Sequence, residues 1–288
     1  MARIIVLAIA LLNFVPASQP TPPGRVTIHL SVLDAKGGPV TDLQAADFEI
    51  RDKGKLRPVE VFTTDVPVRS VIVLLDISGS MTPWFDALPA AAAAVLTDLP
   101  PTDRVRLGAF AVRLQLGPVI SGNRLDALQT FRSALNLDGP APSALYDAVI
   151  SSLETLAGDV GRRVVVLLTD GGDSSSRRRP SDVLERAQAL DAAIFVLAFP
   201  ERRDISPSPG TDLRIQVRDA TETGGGYVEW KGGNLNEATA RLIGQLRAEY
   251  RLEFTPADID GKRHALDVVV KKQGVRVFVR RRFIAPTR

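Results

Sequence analysis

The chain has no cysteine, which excludes disulfides, thiolate metal sites, cysteine nucleophiles and lipid attachment through an N-terminal cysteine. Histidine is scarce as well: His29 and His264 stand far apart in the sequence, and we expect both to be structural. The net charge is only +3, which argues against a dedicated nucleic-acid-binding protein. Stability must therefore come from packing, and 288 residues with 45% hydrophobic side chains are enough for a sizeable core.

Long apolar runs are also rare, and residues 4–15 form the longest, broken only by Asn13. Arg3 precedes this run and small residues around Ala17 follow it, which is the arrangement of a secretory signal peptide. Because the run is short for a membrane span, we predict that residues 1–18 are a signal peptide, with an uncleaved N-terminal anchor as the alternative. In either case we expect an exported protein, periplasmic or extracellular, whose body carries no integral membrane domain.

Both ends of the remaining chain show the period of two that is typical of half-buried strands. Apolar and polar residues alternate over residues 26–32, and the alternation returns after residue 250 and continues through a hairpin pattern at residues 264–279. Neither end alone can form a stable sandwich. We therefore predict that residues 19–68 and 247–288 pair into one small β-sandwich domain, with two independent β appendages as the alternative.

The middle of the chain alternates between continuous apolar runs and helical periodicity. Runs at residues 71–75, 164–168 and 194–199 predict strands buried on both faces, which occur in parallel sheets covered by helices. Between these runs, apolar residues recur every three or four positions, as in amphipathic helices. The pattern predicts a doubly wound, mostly parallel α/β sheet with helices on both faces, Rossmann-like, over residues 69–246 and inserted between the two β segments.

Acidic and hydroxyl side chains follow two of the predicted buried strands. Asp76 begins an Asp-x-Ser-x-Ser sequence with Ser78 and Ser80, and Asp170 begins Asp-Gly-Gly-Asp. Ligands of open α/β sheets bind beyond the carboxyl ends of the strands. Carboxylates and hydroxyls are hard oxygen ligands, which suit Mg²⁺ or Mn²⁺ better than Zn²⁺. Neutral serines leave such a metal electron-poor, so it should accept a further oxygen from a partner.

The Asp-x-Ser-x-Ser sequence after a first hydrophobic strand resembles the metal-ion-dependent adhesion site of von Willebrand factor type A domains. The resemblance covers about residues 69–246. In that family a Thr from a second loop and an Asp from a third loop complete the metal site, and Ser143 and Asp170 stand at the matching positions. The resemblance therefore implies a metal held by five residues: Asp76, Ser78, Ser80, Ser143 and Asp170. Ser143 could also act as a helix N-cap.

The flanking segments, residues 26–62 and the stretch from Tyr250 to the arginine-rich end, resemble those of exported bacterial proteins called von Willebrand factor A-related, acidobacterial type. This second resemblance supports the architecture rather than any particular partner. Together the observations favour an exported, non-catalytic protein-binding or adhesion module. It would use one Mg²⁺ or Mn²⁺ ion, and an Asp or Glu of a protein partner would complete the metal shell.

Two other functions stay open at this point. One is a non-catalytic envelope scaffold with a structural or degenerate metal site. The other is a magnesium-dependent phosphohydrolase with Asp76 as its nucleophile. Such hydrolases usually carry a second acid two residues on, where this chain has Ser78, and no Lys, His or Glu offers an obvious acid/base partner.

Three further features lie beside the metal motif. Arg177, Arg178 and Arg179 follow Asp170 on the same loop, where they either attract an acidic ligand or form an ordinary solvated loop. Asp173 either supports the metal site or only shapes the loop, and we favour the second. Trp84 is expected to anchor a helix rather than to contact a partner.

Overall fold

The computed structural model describes residues 24–64, 68–135, 141–200 and 220–287. The predicted signal peptide, residues 1–18, lies outside these ranges. Within them, no helix combines the length and the apolar character needed to cross a membrane.

The strands and helices follow the order expected from the sequence. The N-terminal segment forms β1 (Val26–Leu33), β2 (Phe48–Asp52), β3 (Lys55–Arg57) and β4 (Val61–Thr63). The central strands are β5 (Arg69–Asp76), β6 (Arg104–Phe110), β7 (Leu114–Leu116), β8 (Arg162–Thr169), β9 (Ala192–Ala198) and β10 (Gly226–Glu229). The helices are α1 (Ala87–Asp98), α2 (Arg124–Ser133), α3 (Leu145–Leu156), α4 (Pro180–Ala189) and α5 (Leu235–Arg247). The C-terminal segment forms β11 (Glu249–Phe254), β12 (Arg263–Val270), β13 (Arg276–Val279) and β14 (Arg282–Ile284).

The central strands form one mixed sheet in the order β10-β9-β8-β5-β6-β7. All neighbours run parallel except β7, which pairs antiparallel with β6 at one edge. Strand β5 is buried along its whole length, because Val71 and Val73 pack under α1 and α5 while Ile72 and Leu74 pack under α3 and α4. Helices on both faces of a mostly parallel sheet confirm the predicted α/β class.

Two antiparallel four-stranded sheets flank this domain, in the orders β13-β1-β11-β4 and β14-β12-β2-β3. Each contains strands from both ends of the chain: Ile28 of β1 lies opposite Leu252 of β11, and Ile50 of β2 lies opposite Val268 of β12. Their inner faces share one apolar core. The extra strands thus form a sandwich around the insertion point, while the domain boundaries at residues 68 and 246 stay predictions.

Charged side chains join the two domains at the amino ends of the parallel strands. Arg162 begins β8 and lies 3.1 Å from Glu249 at the start of β11, and both side chains are buried. Asp191 precedes β9 and lies 2.8 Å from Arg280, which follows β13. The β-sandwich therefore meets the amino edge of the central sheet. The carboxyl edge, where Asp76 ends β5, faces away from this junction.

Candidate metal centre

The Asp76 carboxylate is held on both oxygens. Its Oδ1 accepts a hydrogen bond of 3.0 Å from the backbone N–H of Ser78, and its Oδ2 accepts one of 2.6 Å from the hydroxyl of Thr169. Thr169 is the last residue of β8, the strand beside β5, and the Asp76 side chain is fully buried. The sheet thus fixes Asp76 before any ligand is present. Sequence reasoning assigned no role to Thr169, although its position at a strand end directly before Asp170 was an available signal.

The two serines of the motif lie on the turn that follows. Ser78 precedes a short 3₁₀ helix, Gly79–Trp84, and its Oγ lies 3.2 Å from the Oγ of Ser80. Ser78 is buried, whereas Ser80 is exposed. The backbone N–H of Gly79 donates a 2.8 Å hydrogen bond to the carbonyl of Ala141, which attaches this turn to the segment before α3. The structure therefore brings two hydroxyls together on one side of the turn.

Asp170 approaches the same turn from β8. Its Oδ1 accepts a 3.0 Å hydrogen bond from the N–H of Gly172. A Cβ on Gly172 would lie 3.4 Å from Asp170 Oδ1 and 3.6 Å from Ser80 Oγ, so both side chains contact the same small piece of backbone. Burial and then the nearby charge of Asp170 raise the pKa of Asp76 to about 7, against the opposing effect of the hydrogen bonds from Ser78 and Thr169. Two carboxylates and a hydroxyl therefore converge here.

Ser143 contributes a buried hydroxyl that has no hydrogen-bond partner among the described residues. Its backbone is tied to the Asp170 loop, since its N–H donates to Ser174 Oγ at 3.0 Å and its carbonyl accepts from Ser174 and Ser175 at 2.9 Å. The interpretation of Ser143 as the N-cap of α3 is wrong. The N-cap residue is Ala144, whose side chain makes no capping hydrogen bond.

Side chains from the Asp170 loop satisfy the first turn of α3 instead. The N–H of Leu145 donates to Asp173 Oδ1 at 2.9 Å, and those of Tyr146 and Asp147 donate to Ser176 Oγ at 3.0 and 3.2 Å. Asp173 therefore shapes this loop and caps α3. Because Ser143 lies just before α3, these bonds also hold its loop against the one that carries Asp170.

The residues present fit a divalent cation. The donors are oxygens only, which is the set that Mg²⁺ and Mn²⁺ prefer. Asp76 and Asp170 carry like charges close enough to interact in a buried place, and a cation between such groups removes that repulsion. Among the residues that the structure describes, the buried Ser143 hydroxyl has no hydrogen-bond partner, and buried polar groups are rarely left in that state without a reason.

A second cluster of possible metal ligands lies in the β-sandwich, but its members already contact other side chains of the sandwich. Asp258, Asp260 and His264 bring their ligand atoms within 4.8 Å of one another. However, the ammonium of Lys53 lies 3.2 Å from Asp258 and 3.4 Å from Asp260. The Nε2 atom of His264 lies 2.9 Å from Asp260, and its Nδ1 atom lies 2.8 Å from Asp52. The buried imidazole therefore bridges two carboxylates within the sandwich.

Aromatic side chains pack against the end of the 3₁₀ helix that follows Ser78. Trp84 ends the 3₁₀ helix, packs against Phe199 and Trp230, and donates its indole N–H to the carbonyl of Pro200 at 3.1 Å. Trp84 is partly buried, and its contacts tie the turn to the ends of β9 and β10. This geometry favours the anchoring role expected for it.

The three arginines after Asp170 are exposed, and their side chains make no ion pair with any described residue. The backbone beneath them is fixed, because the N–H groups of Arg177 and Arg178 donate to the Asp147 carboxylate at 3.1 and 2.9 Å. Asp147 belongs to α3, whose first turn adjoins Ser143. A basic surface of defined shape therefore lies next to the candidate metal centre.

No protein-family model matches the sequence, and no curated protein matches it. Solved structures do resemble it. Proximal thread matrix protein 1 from the mussel byssus superimposes with a TM-score of 0.50 and 14% identity, over 66% of this chain and 49% of that one. A von Willebrand factor type A protein from Catenulispora acidiphila gives 0.48 and 12%, over 94% of this chain and 75% of that one.

An aerotolerance-related membrane protein from Bacteroides fragilis gives a TM-score of 0.47 and 17% identity, over 62% of this chain and 98% of that one. Identities this low speak only for the fold. The mixed sheet, with helices on both faces and additional antiparallel strands, agrees with that likeness. The α/β region of this chain is thus similar in fold to solved structures that include a von Willebrand factor type A protein.

Proposed function

We propose that the chain is a non-catalytic protein-binding or adhesion module that holds one Mg²⁺ or Mn²⁺ ion and engages an Asp or Glu of a protein partner. The observation that carries this proposal is the convergence of two buried aspartates near the buried Ser143 hydroxyl, which has no hydrogen-bond partner in the described part of the chain. The ligands would be Asp76, Ser78, Ser80, Ser143 and Asp170. When bound, the cation would offer a coordination position to a carboxylate oxygen of the partner.

The chain's own residues would prepare this site in two ways. Thr169 and the N–H of Ser78 orient the Asp76 carboxylate, so little conformational entropy is lost when a ligand binds. The exposed Ser80 marks the side from which a partner can approach. Asp76 has two hydrogen-bond partners, Ser78 and Thr169, and neither exchanges a proton near neutral pH. The lack of an acid/base partner favours binding over a phosphoryl-transfer reaction.

The partner's acidity is supported by charge as well as by metal chemistry. Arg177, Arg178 and Arg179 would raise the encounter rate with an acidic surface and orient it toward the metal edge. We also propose export to the periplasm or the cell exterior, on the basis of the signal-like residues 1–18. The metal edge, turned away from the sandwich, would then face other envelope or extracellular proteins.

A peptide-binding experiment tests the function directly. A fluorescent Gly/Ser peptide with a single central Asp would be titrated by anisotropy against the mature protein, with Mg²⁺ or with chelator. We expect binding only with Mg²⁺, lost in Asp76→Ala and lost when the peptide's Asp is changed to Asn. Equal binding with chelator would contradict metal dependence, and equal binding of the Asn peptide would contradict carboxylate coordination.

A further inference from the structure

A cleft of about 190 Å³ lies between the two domains, far larger than the about 15 Å³ that one water molecule needs. The edge strand β10 and helix α5 line it from the α/β side, and the turn after β1 and the edge strand β13 line it from the sandwich side. None of these residues belongs to the proposed metal centre. The polar residues that line the cleft are Lys36, Tyr227, Glu229, Arg241, Gln245 and Arg276.

Positive charge dominates this cleft. The side chains of Lys36, Arg241 and Arg276 make no ion pair with any residue that the structure describes, and the acidic Glu229 lies 3.4 Å from Lys231, outside the lining. A Cβ on Gly37 would lie 3.8 Å from Arg276 Nη2, so this guanidinium rests against the turn that carries Lys36. Three cations and one carboxylate line the cleft, so positive charge is in excess, and a bound anion would offset it.

Neutral donors complete the lining. The Tyr227 hydroxyl has no hydrogen-bond partner within the described ranges, and burial together with the charge of Glu229 raises its pKa to about 12, so it stays a donor near neutral pH. Gln245 is only 3% exposed, and its side-chain oxygen has no partner in the described part of the chain. Rotation of this amide would present its NH₂ group to a ligand oxygen.

We propose that this cleft is an oxyanion site that binds a phosphate or carboxylate group between the two domains. Cations from α5 and from the sandwich would share the anion, since Arg241 belongs to one domain and Lys36 and Arg276 to the other. A bound anion would therefore stabilise the folded pair of domains. The group could belong to a free small anion or to the acidic side chains of another protein.

Calorimetric titrations of the chelator-treated mature protein at constant ionic strength would test the site. The probes would be inorganic phosphate, succinate and a Gly/Ser peptide with two adjacent glutamates, and chloride would serve as the reference anion. The test variant is Arg241→Gln with Arg276→Gln. Its matched control is Arg247→Gln with Arg282→Gln, which removes two exposed arginines from α5 and the sandwich but outside the cleft.

We expect wild type to bind at least one probe saturably. The affinity of the test variant should be about tenfold lower, because it loses two exposed charge pairs with the anion. The affinity of the control variant should stay within about twofold of wild type, because its substitutions lie outside the cleft. Preference for phosphate or succinate would identify a free anion, and preference for the peptide would identify a protein partner. Asp76→Ala should bind the probe as wild type does. Absence of saturable binding, equal weakening in the control, or loss in Asp76→Ala would each overturn the proposal.

Discussion

Thr169 donates a 2.6 Å hydrogen bond to Asp76 across the carboxyl ends of two neighbouring parallel strands. The same hydroxyl accepts the N–H of Gly171 at 2.9 Å, so one side chain connects the Asp76 motif to the loop that carries Asp170. The relative position of the two candidate metal aspartates therefore depends on a residue that is not itself a proposed ligand.

Replacing Thr169 by valine should weaken Mg²⁺ binding by about tenfold. Valine keeps the shape but removes the hydroxyl, and a hydrogen bond to a charged group contributes about 1.5–3 kcal/mol. Thr169→Ser keeps the hydroxyl and should stay within about threefold of wild type. Metal affinity from calorimetry measures both variants. An unchanged affinity in Thr169→Val would show that this hydrogen bond does not position Asp76 for the metal.

Ser143→Ala should have opposite effects with and without metal. Because the Ser143 hydroxyl has no partner in the described protein, its removal should leave the free energy of unfolding unchanged or raise it by up to about 1 kcal/mol in chelator. In Mg²⁺ the variant should lose most of the stabilisation that the ion gives to wild type. Thermal unfolding in both conditions measures this, with Ser143→Thr as the hydroxyl-bearing control. A large loss of stability in chelator would contradict the assignment.

Acid should destabilise the domain junction through His29. Burial and then the positive charge of Arg162 lower the pKa of His29, against the opposing effects of Asp191 and Glu249. Below the ordinary pKa of about 6.5, the unfolded chain therefore takes up a proton that the folded chain does not, and stability falls as the pH falls. Urea unfolding between pH 7.5 and 5.5 should show this slope, and His29→Gln should flatten it. Identical slopes would exclude His29 as the source.

Glu249→Gln should lower the free energy of unfolding by about 3 kcal/mol. It removes the nearer of the two carboxylates that pair with the buried Arg162, whose other partner, Asp191, lies at 3.6 Å. Breaking a buried pair costs about 3–5 kcal/mol, and the remaining pair places the expected loss at the lower end of that range. Arg263→Gln is the matched control, because it breaks the exposed pair with Glu185 and should cost less than about 1 kcal/mol. Urea denaturation compares the two. Similar small losses in both would mean that the junction contributes little to stability.

The sequence predicts the α/β sheet well because its strands, such as β5, are apolar on both faces and leave a continuous hydrophobic run. It also predicts the extra antiparallel strands, since the period of two is visible at both ends of the chain. The places of Asp76 and Asp170 follow from the same logic, because Asp76 ends one buried strand and Asp170 directly follows another.

Contacts between distant residues leave no such periodic signal. Ser143 precedes a helix and so resembles an N-cap, but Asp173 and Ser176, about thirty residues away, satisfy that helix instead. Arg162 and Glu249 likewise look like ordinary strand-end charges until the fold buries them together. These pairings depend on how the loops and domains pack, which no local pattern encodes.

Calorimetric titration of Mg²⁺ and Mn²⁺ into the chelator-treated mature protein decides whether Asp76 belongs to a metal site. Asp76→Ala is titrated beside wild type, and circular dichroism confirms that both are folded. We expect one saturable site per chain in wild type and none in Asp76→Ala. Saturable binding of equal affinity in Asp76→Ala, or no binding to folded wild type even with an acidic peptide added, would contradict this expectation.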